Sequence, residues 1–227
     1  MKVKNMILAI ETSTPVCSVA LGKNGRVLAE KRIEGRGVHS ERTFTFVKEL
    51  FERFEIGIND LEAVLFSNGP GSYTGLRIGA GAVKGLLFGK QMPLYTLPTL
   101  LSFSLSAAGR ENRVIHSVID ARRDHLYHQK TELFSGKKMN VSKARVMKLS
   151  DIENEIEVGD VVVGTGWDRL TVENREQVRW LGTEAISSKN LIIGWYQKEY
   201  KLYFKEQNAE TFEPEYLTMA QINNSAV

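Results

Sequence analysis

Residues 67–89, SNGPGSYTGLRIGAGAVKGLLFG, are rich in glycine, and such a stretch often wraps a phosphate through free backbone N–H groups. A Walker loop needs Lys followed by Ser or Thr after its last glycine, and GPGSYTGLR lacks that pair. A dinucleotide-binding fingerprint needs G-x-G-x-x-G, whereas GPGSYTG has one residue too many before its third glycine. Both templates fail, which leaves only a weak anion site at the N-terminus of a helix that begins near Ser72 or Thr74.

The histidines, which commonly bind transition metals, do not form a metal-binding motif. His39 begins HSERT, and Thr43 occupies the position where a helical pair of metal ligands would need its second histidine. His125 and His128 lie in an alternating pattern typical of a strand, where a spacing of three places side chains on opposite faces. We therefore expect no metal site, and we expect the histidines to belong to the surface or to a sheet.

Two carboxylates, Glu11 and Asp120, follow apolar runs at comparable turns, ILAIETST and HSVIDARR. In two facing lobes they could point into one cleft and hold a magnesium nucleotide, because magnesium prefers oxygen ligands. This alternative makes the chain an independent ATPase or peptidase. A serine hydrolase fits less well, because the chain has no G-x-S-x-G elbow. The residues form no complete active site, so we expect no catalytic and no cofactor-binding residues.

The elements that would position these residues begin with three antiparallel strands. MILAIETST is an apolar run into a polar turn, and VCSVALGKNGRVLAEKRI alternates around a turn at residues 23–25. Ser40 can then cap a helix with one apolar face, and LEAVLFS predicts a buried strand that leads into the glycine-rich stretch. The apolar face of that helix comprises Phe44, Val47, Leu50, Phe51 and Phe54.

A second block, RVIHSVIDARRDHLYHQKTELFSGKKM, repeats the order of strand, acidic turn, strand, turn and strand. This repetition predicts two related lobes. The segment from Pro98 to Gly109 predicts a helix that closes the first lobe. We therefore expect an N-terminal lobe at 1–109 with the partner-binding helices and a C-terminal lobe at 110–227, whose final helix or tail could pack back on the first lobe.

Glycines recur at four-residue steps on a helix placed at residues 75–89, so small residues line much of one side. Each glycine costs up to about 1 kcal/mol of helix propensity relative to alanine, so several together need a compensating gain. Close packing provides that gain, because another backbone can approach where side chains are missing. The neighbour is either the protein's own sheet and adjacent helix or a partner subunit, and this pattern leaves both open.

The composition is that of a globular protein. A chain of 227 residues with 42% hydrophobic and 25% charged residues can bury a full core. The formal net charge of +3 is too small to predict nucleic-acid binding by itself. The single Cys17 cannot form an intrachain disulfide, and no stretch has the pattern of a signal peptide or the length to span a bilayer. We therefore expect a cytoplasmic protein without membrane contact.

The chain resembles the bacterial TsaB family, also called YeaZ, in motifs that cover nearly its whole length. In order, these are ILAIETSTPVCSVAL, HSERTF, NGPGSYTGLRIG with AVKGL, IDARRDHLY, VGTGW and EPEYL, of which GPGSYTGLRIG is the most specific. The family usually has Asp in place of Glu11 and often Arg in place of Asn68. The resemblance implies an α/β, two-lobed actin-like ATPase fold of the sugar kinase, Hsp70 and actin class, with ribonuclease-H-like sheets and an internal duplication.

The resemblance also implies a function, that of a noncatalytic subunit which binds and activates its paralogue TsaD. With TsaE as a further partner, the complex transfers a threonylcarbamoyl group to adenosine 37 of tRNAs that read codons beginning with A. In that family TsaD carries the metal ligands, in an H-x-x-x-H helix, and the transfer chemistry. We therefore expect no cofactor in this chain itself, and ATP or ADP and metal in TsaD or at the complex boundary.

The family uses two helices, the one at residues 40–54 and the glycine-rich one, to form a helical bundle with TsaD. Without TsaD, the same helices form a homodimer, and tRNA is reached through the complex. The resemblance thus favours a partner subunit as the neighbour of the glycines. The predicted partner interface comprises Phe44, Val47, Phe51, Gly75, Arg77, Gly81 and Gly85.

Overall fold

The computed structural model describes residues 5–109, 112–134 and 138–217. The chain folds into two compact units. The first unit comprises the described residues up to Thr99 together with Ser187–Glu215, and the second comprises Leu100–Ile186 with Tyr216 and Leu217. The chain thus changes unit after Thr99, whereas the sequence places the lobe boundary at residue 109.

The described chain contains both strands and helices. The strands are β1 (Met6–Glu11), β2 (Val16–Lys23), β3 (Arg26–Glu34), β4 (Leu61–Ser67), β5 (Leu94–Leu97), β6 (Arg113–Asp120), β7 (His125–Phe134), β8 (Lys138–Val141), β9 (Arg145–Lys148), β10 (Val161–Gly164), β11 (Arg179–Leu181) and β12 (Lys205–Gln207). The α-helices are α1 (His39–Arg53), α2 (Tyr73–Leu87), α3 (Thr99–Ser104), α4 (Leu149–Glu153), α5 (Lys189–Tyr196) and α6 (Lys198–Lys201).

The sheet of the first unit has the strand order β12-β5-β4-β1-β2-β3. β1, β2 and β3 are antiparallel, as the sequence predicts, while β4 and β5 run parallel to β1. The predicted turn between β2 and β3 is confirmed. Asn24 and Gly25 have φ values of 50° and 79°, and these two residue types tolerate the positive φ that a tight hairpin needs.

The core of the first unit lies where α1 and α2 meet this sheet. Both helices contribute apolar side chains every three or four residues, which is the spacing that keeps them on one face. α1 buries Phe46, Val47 and Leu50, and α2 buries Ala80, Val83 and Leu87, in one cluster with apolar side chains of the sheet. α5 also contacts β1 to β4, so this late segment of the chain packs on the sheet of the first unit.

The sheet of the second unit repeats the design of the first. Its order is β11-β10-β6-β7-β8, with β9 also paired to β7. β6, β7 and β8 are antiparallel, whereas β10 and β11 run parallel to β6, so the order and directions match β5-β4-β1-β2-β3. The predicted duplication and the ribonuclease-H-like α/β fold class are therefore confirmed.

Two predicted helix ends in the first unit are wrong. Ser40 does not cap α1, because the helix begins one residue earlier, and the Ser40 hydroxyl donates to the Gly37 carbonyl at 3.4 Å. Gly89 is not part of α2, which ends at Leu87, and its φ of 65° is the left-handed conformation that commonly follows a helix.

The predicted helix from Pro98 to Gly109 is shorter than expected. α3 covers only Thr99–Ser104, and the chain continues in turns whose N–H groups bond to carbonyls three residues back, such as Leu105 to Ser102 at 3.3 Å. None of the described helices combines the length and the apolar character that crossing a bilayer requires.

Candidate partner-binding surface on the glycine-rich helix

The first residues of the glycine-rich helix α2, which follows β4 in the chain, pack against the turn between β1 and β2. The hydroxyl of Ser72 accepts the N–H of Gly75 at 3.2 Å, which is the usual arrangement of an N-cap serine. The N–H of Ser72 donates to the carbonyl of Ser13 at 2.6 Å. The predicted start of the helix near Ser72 is therefore confirmed, and the hydrogen bond to Ser13 ties it to the end of β1.

The inner face of α2 lies directly against this turn because it carries glycines. A methyl group added at Gly75 would lie 2.1 Å from the carbonyl oxygen of Thr12. One added at Gly79 would lie 2.1 Å from the Thr12 hydroxyl and 2.7 Å from the ring of Phe66. These distances are shorter than any real contact of a methyl group, so the glycines here permit close packing within the protein itself.

The outer face of α2 carries glycines that have room around them. A methyl group at Gly81 would meet no described atom within 4 Å, and one at Gly85 would meet only the ring of Phe44, at 3.6 Å. Large side chains stand at both ends of the same face. Tyr73 is 57% exposed and Phe88 is 76% exposed.

Arg77 lies between Tyr73 and the outer glycines. Its guanidinium donates to the Tyr73 hydroxyl at 2.7 Å and lies 5.2 Å from the centre of the ring. Such a contact holds the arginine over the aromatic side chain while leaving it exposed. The arginine therefore adds a positive charge to this side of the helix, which also carries Lys84, three residues after Gly81.

Phe44 on α1 completes this surface from the neighbouring helix. It is 50% exposed, and its ring faces the bare backbone at Gly85. Together these exposed positions form a surface that we call the outer stripe. It consists of Phe44, Tyr73, Arg77, Gly81, Gly85 and Phe88.

The outer stripe has the composition of a protein-binding surface. Aromatic residues and arginine are enriched at protein interfaces, whereas lysine and acidic residues are depleted there. Its positions on α2 follow one another at steps of three or four residues, so they share one side of the helix. Exposed glycines between aromatic side chains leave a shallow depression in which another helix could come close to the backbone.

The structure places the predicted interface residues in different environments. Phe44, Arg77, Gly81 and Gly85 are exposed, and Phe51 is half-buried against the core. Two residues need correction. Val47 is only 5% exposed because it points into the core beneath α1, and Gly75 lies on the inner face of α2.

Sequence reasoning missed two residues of the outer stripe, Tyr73 and Phe88. A signal for them was present. Tyr73, Arg77 and Gly81 are spaced four residues apart, which puts a tyrosine on the same side as the predicted arginine and glycine. Phe88 follows the last helical residue and lies three residues after Gly85, so a step of three would have included it.

Glu11, the first candidate acid, is buried at the end of β1. Both the backbone N–H and the hydroxyl of Ser13 donate to its Oε1. Burial raises the pKa of the Glu11 carboxyl, and the hydrogen bonds from Ser13 oppose the rise only in part. Burial of this carboxyl therefore favours its protonated form.

Asp120, the second candidate acid, is exposed at the end of β6 and has its own partners. Its Oδ1 accepts from the Arg169 guanidinium at 2.6 Å and from the N–H of Arg122 at 2.7 Å. The carboxylate thus holds the turn after β6 and pairs with an arginine of the same unit. These contacts give Asp120 a structural role.

His39, at the start of α1, is also held by the backbone. Its Nε2 lies 2.8 Å from the carbonyl oxygen of Thr14, to which it can donate. Thr43 replaces the second metal ligand of a helical histidine pair, and its hydroxyl donates to the carbonyl of His39 at 2.7 Å. Both side chains are buried in contacts that hold α1 and the β1–β2 turn together.

Comparison with protein families shows which proteins this chain resembles. Residues 33–161 match the family model described as TsaD, the tRNA N6-adenosine threonylcarbamoyltransferase. The protein of that name in Staphylococcus haemolyticus is 33% identical over 110 residues, but the match covers only 32% of that relative and 41% of this chain. The similarity to TsaD is therefore confined to part of the longer protein.

Relatives named TsaB match more of the chain. The tRNA threonylcarbamoyladenosine biosynthesis protein TsaB of Escherichia coli is 34% identical over 172 residues, which cover 71% of each chain. The solved structure of YeaZ from Pseudomonas aeruginosa is 26% identical with a TM-score of 0.73, and the match covers 94% of this chain and 100% of that one. On this sequence similarity and on the shared fold, the chain belongs to the TsaB (YeaZ) family of tRNA threonylcarbamoyladenosine biosynthesis proteins.

Proposed function

We propose that this chain is a noncatalytic subunit that binds and activates a TsaD protein through the outer stripe. The complex would transfer a threonylcarbamoyl group to adenosine 37 of tRNAs that read codons beginning with A. The observation that carries the proposal is the pair of outer glycines. Gly81 and Gly85 weaken the helix, and within the described unit nothing packs closely enough to require them.

The surroundings of the candidate catalytic residues support a noncatalytic role. His39 and Thr43 form hydrogen bonds to the backbone, Glu11 is buried with a raised pKa, and Asp120 pairs with Arg169. Each group thus has a structural partner or surroundings that disfavour its reactive form. In this proposal the transfer chemistry belongs to TsaD, and ATP or ADP and metal bind in TsaD or at the complex boundary.

The outer stripe offers one surface for two partners. We propose that it binds TsaD when TsaD is present and a second copy of this chain when TsaD is absent. Because one surface cannot hold both, the homodimer and the heterodimer compete. TsaE and tRNA join through the complex and need no contact with the outer stripe.

The test is to fill the depression in the outer stripe. The variant Gly81→Leu with Gly85→Leu puts two large side chains where a partner helix would approach. We expect the affinity for TsaD to fall at least about tenfold, which corresponds to about 1.4 kcal/mol. Binding is measured by calorimetry with purified TsaD, and tRNA modification is measured in the reconstituted complex.

Gly57→Leu is the matched control. Gly57 has a φ of −126°, which any residue adopts, and a methyl group there would meet no described atom within 4 Å. This variant should bind TsaD like the unchanged chain. The proposal is wrong if the double variant keeps full affinity and full modification, or if the isolated chain hydrolyses ATP and loses that activity on Glu11→Ala and Asp120→Ala.

A further inference from the structure

Two buried histidines meet in the second unit on neighbouring strands. Val118 of β6 pairs with His128 of β7, so His116, two residues before Val118, lies on the same face and diagonal to His128. Nδ1 of His116 is 2.9 Å from Nε2 of His128, and both side chains are buried. The two rings therefore face each other through one nitrogen each.

The other nitrogen of His116 faces a carboxylate. Its Nε2 lies 3.1 Å from Oδ2 of Asp160, which is buried in the turn before β10. A proton on Nε2 satisfies this contact and leaves a lone pair on Nδ1. In metalloproteins, a ligand histidine almost always donates its second N–H to a carboxylate, a carbonyl or water, which fixes its orientation.

A third potential ligand, Glu155, lies in the segment after α4. One ligand atom from each of His116, His128 and Glu155 lies within 4.8 Å of the other two. Glu155 is half-buried, and among the described contacts its carboxylate makes no hydrogen bond or ion pair. An acidic group so close to two histidines, with no other partner in the described chain, is a suitable third ligand.

We propose that His116, His128 and Glu155 bind a divalent transition-metal ion, with Zn²⁺ as the best match. Two imidazoles and one carboxylate are ligands that zinc commonly takes, and a water molecule can fill the fourth position. Zinc–nitrogen distances of about 2.0–2.1 Å at a tetrahedral angle put the two nitrogens roughly 3.4 Å apart. The rings would move apart by about half an ångström from their present contact.

The protonation states suit this role. Because Nε2 of His116 holds a proton against Asp160, Nε2 of His128 carries the proton that lies between the two rings. A neutral imidazole is the form that binds metal. When the ion enters, the proton on Nε2 of His128 moves to Nδ1 through solvent exchange, and the freed lone pair binds the metal.

The expected effect of the ion is structural. It would join β6, β7 and the segment between α4 and β10, which approach one another only in the folded unit. Because the ligands are brought together by folding, an ion that binds here stabilises the folded state by mass action. The site needs no substrate, and it makes no use of the outer stripe.

The experiment uses the full chain after EDTA treatment. Zn²⁺ binding is measured by calorimetry, the bound metal is quantified after dialysis, and the visible spectrum with Co²⁺ reports the coordination. We expect one equivalent of Zn²⁺, an absorption band of tetrahedral Co²⁺, and a rise in melting temperature when Zn²⁺ is added.

Glu155→Gln tests the site without removing a buried ring. It should weaken Zn²⁺ binding at least about tenfold and reduce the rise in melting temperature. Asp160→Asn should weaken binding by about 10–100-fold, because it removes the group that orients His116. Glu157→Gln, an exposed carboxylate two residues from Glu155, is the control and should bind like the unchanged chain.

Two outcomes overturn the proposal. The first is a chain that binds no stoichiometric Zn²⁺ or Co²⁺, in which case the two rings only share a proton in a structural hydrogen bond. The second is a Glu155→Gln variant that binds as tightly as the unchanged chain.

Discussion

On the inner face of α2, a methyl group at Gly75 would lie 2.1 Å from the carbonyl oxygen of Thr12, whereas on the outer face one at Gly81 would meet no described atom within 4 Å. The same residue type thus has two uses on one helix. Inner glycines let α2 lie against the end of β1, and the protein itself needs them. Outer glycines do nothing comparable within their own unit, so their cost in helix propensity calls for another explanation.

The difference teaches how to interpret a run of glycines in a helix. Spacing alone shows that small residues share a side, but both the inner and the outer pairs have the same spacing of four, at Gly75 and Gly79 and at Gly81 and Gly85. What separates them is the surface that each pair faces. The following substitutions test that separation.

The largest effect is expected for Gly75→Ala. The added methyl group would collide with a backbone oxygen at the end of β1, which cannot move without disturbing the β1–β2 turn. We expect a loss of about 3 kcal/mol in the free energy of unfolding, the upper part of the usual range for overpacking. Urea unfolding followed by circular dichroism measures it. A loss below about 1 kcal/mol would mean that α2 does not need a glycine here.

A smaller loss is expected for Gly79→Ala. Its nearest neighbours are the hydroxyl of Thr12 and the ring of Phe66, and side-chain atoms yield more easily than the backbone oxygen that Gly75 faces. We expect a loss of about 1–2 kcal/mol in the free energy of unfolding. Adding Thr12→Ala should recover part of it, because this change removes the closest atom. Equal stability of the single and double variants would contradict this explanation.

Gly81→Ala should change stability in the opposite direction. A methyl group on the outer face meets no obstacle, so the variant gains helix propensity, worth up to about 1 kcal/mol. The same unfolding experiment should show a higher urea midpoint. A lower urea midpoint for Gly81→Ala would contradict the conclusion that only the inner glycines are needed for packing within the protein.

The smallest effect on the free energy of unfolding is expected for Glu11→Gln. Glu11 lies at the end of β1, next to the turn against which the inner face of α2 packs. Burial raises the pKa of Glu11 above 4.5, so the folded chain binds a proton more readily than the unfolded chain does. The contribution of this group to stability is therefore full below pH 4.5 and is lost as the pH rises through the folded-state pKa. Glutamine keeps an acceptor for Ser13 and does not ionise.

The advantage of Glu11→Gln over the unchanged chain should thus be small near pH 4 and grow as the pH rises toward neutrality. Unfolding in urea at several pH values between 4 and 8 measures this difference. Glu153→Gln, whose carboxylate accepts a backbone N–H at 2.7 Å nearer the surface, is a control. An advantage that stays constant with pH would show that the pKa of Glu11 is the same in the folded and the unfolded chain.

Much of the fold could be predicted because local patterns determine it. The alternation in β2 and β3 and the Asn24–Gly25 turn indicated a hairpin, and the repeated order of strand, acidic turn and strand indicated the duplication. Helix ends were harder, as Ser40 shows. A serine near a helix start favours capping, but α1 begins at His39 because the packing of that residue on the β1–β2 turn decides the boundary.

The sequence by itself determined the fold class, the family and the presence of a glycine-rich helix, since periodicity and specific motifs are properties of neighbouring residues. Only the tertiary structure decided that Val47 and Gly75 face inward while Phe44 and Gly81 face outward. It also showed that His116 contacts His128. This contact depends on the register between β6 and β7, which the spacing of the two histidines along the chain does not reveal. Contacts between distant segments depend on how helices and strands pack, and a one-dimensional pattern does not contain that information.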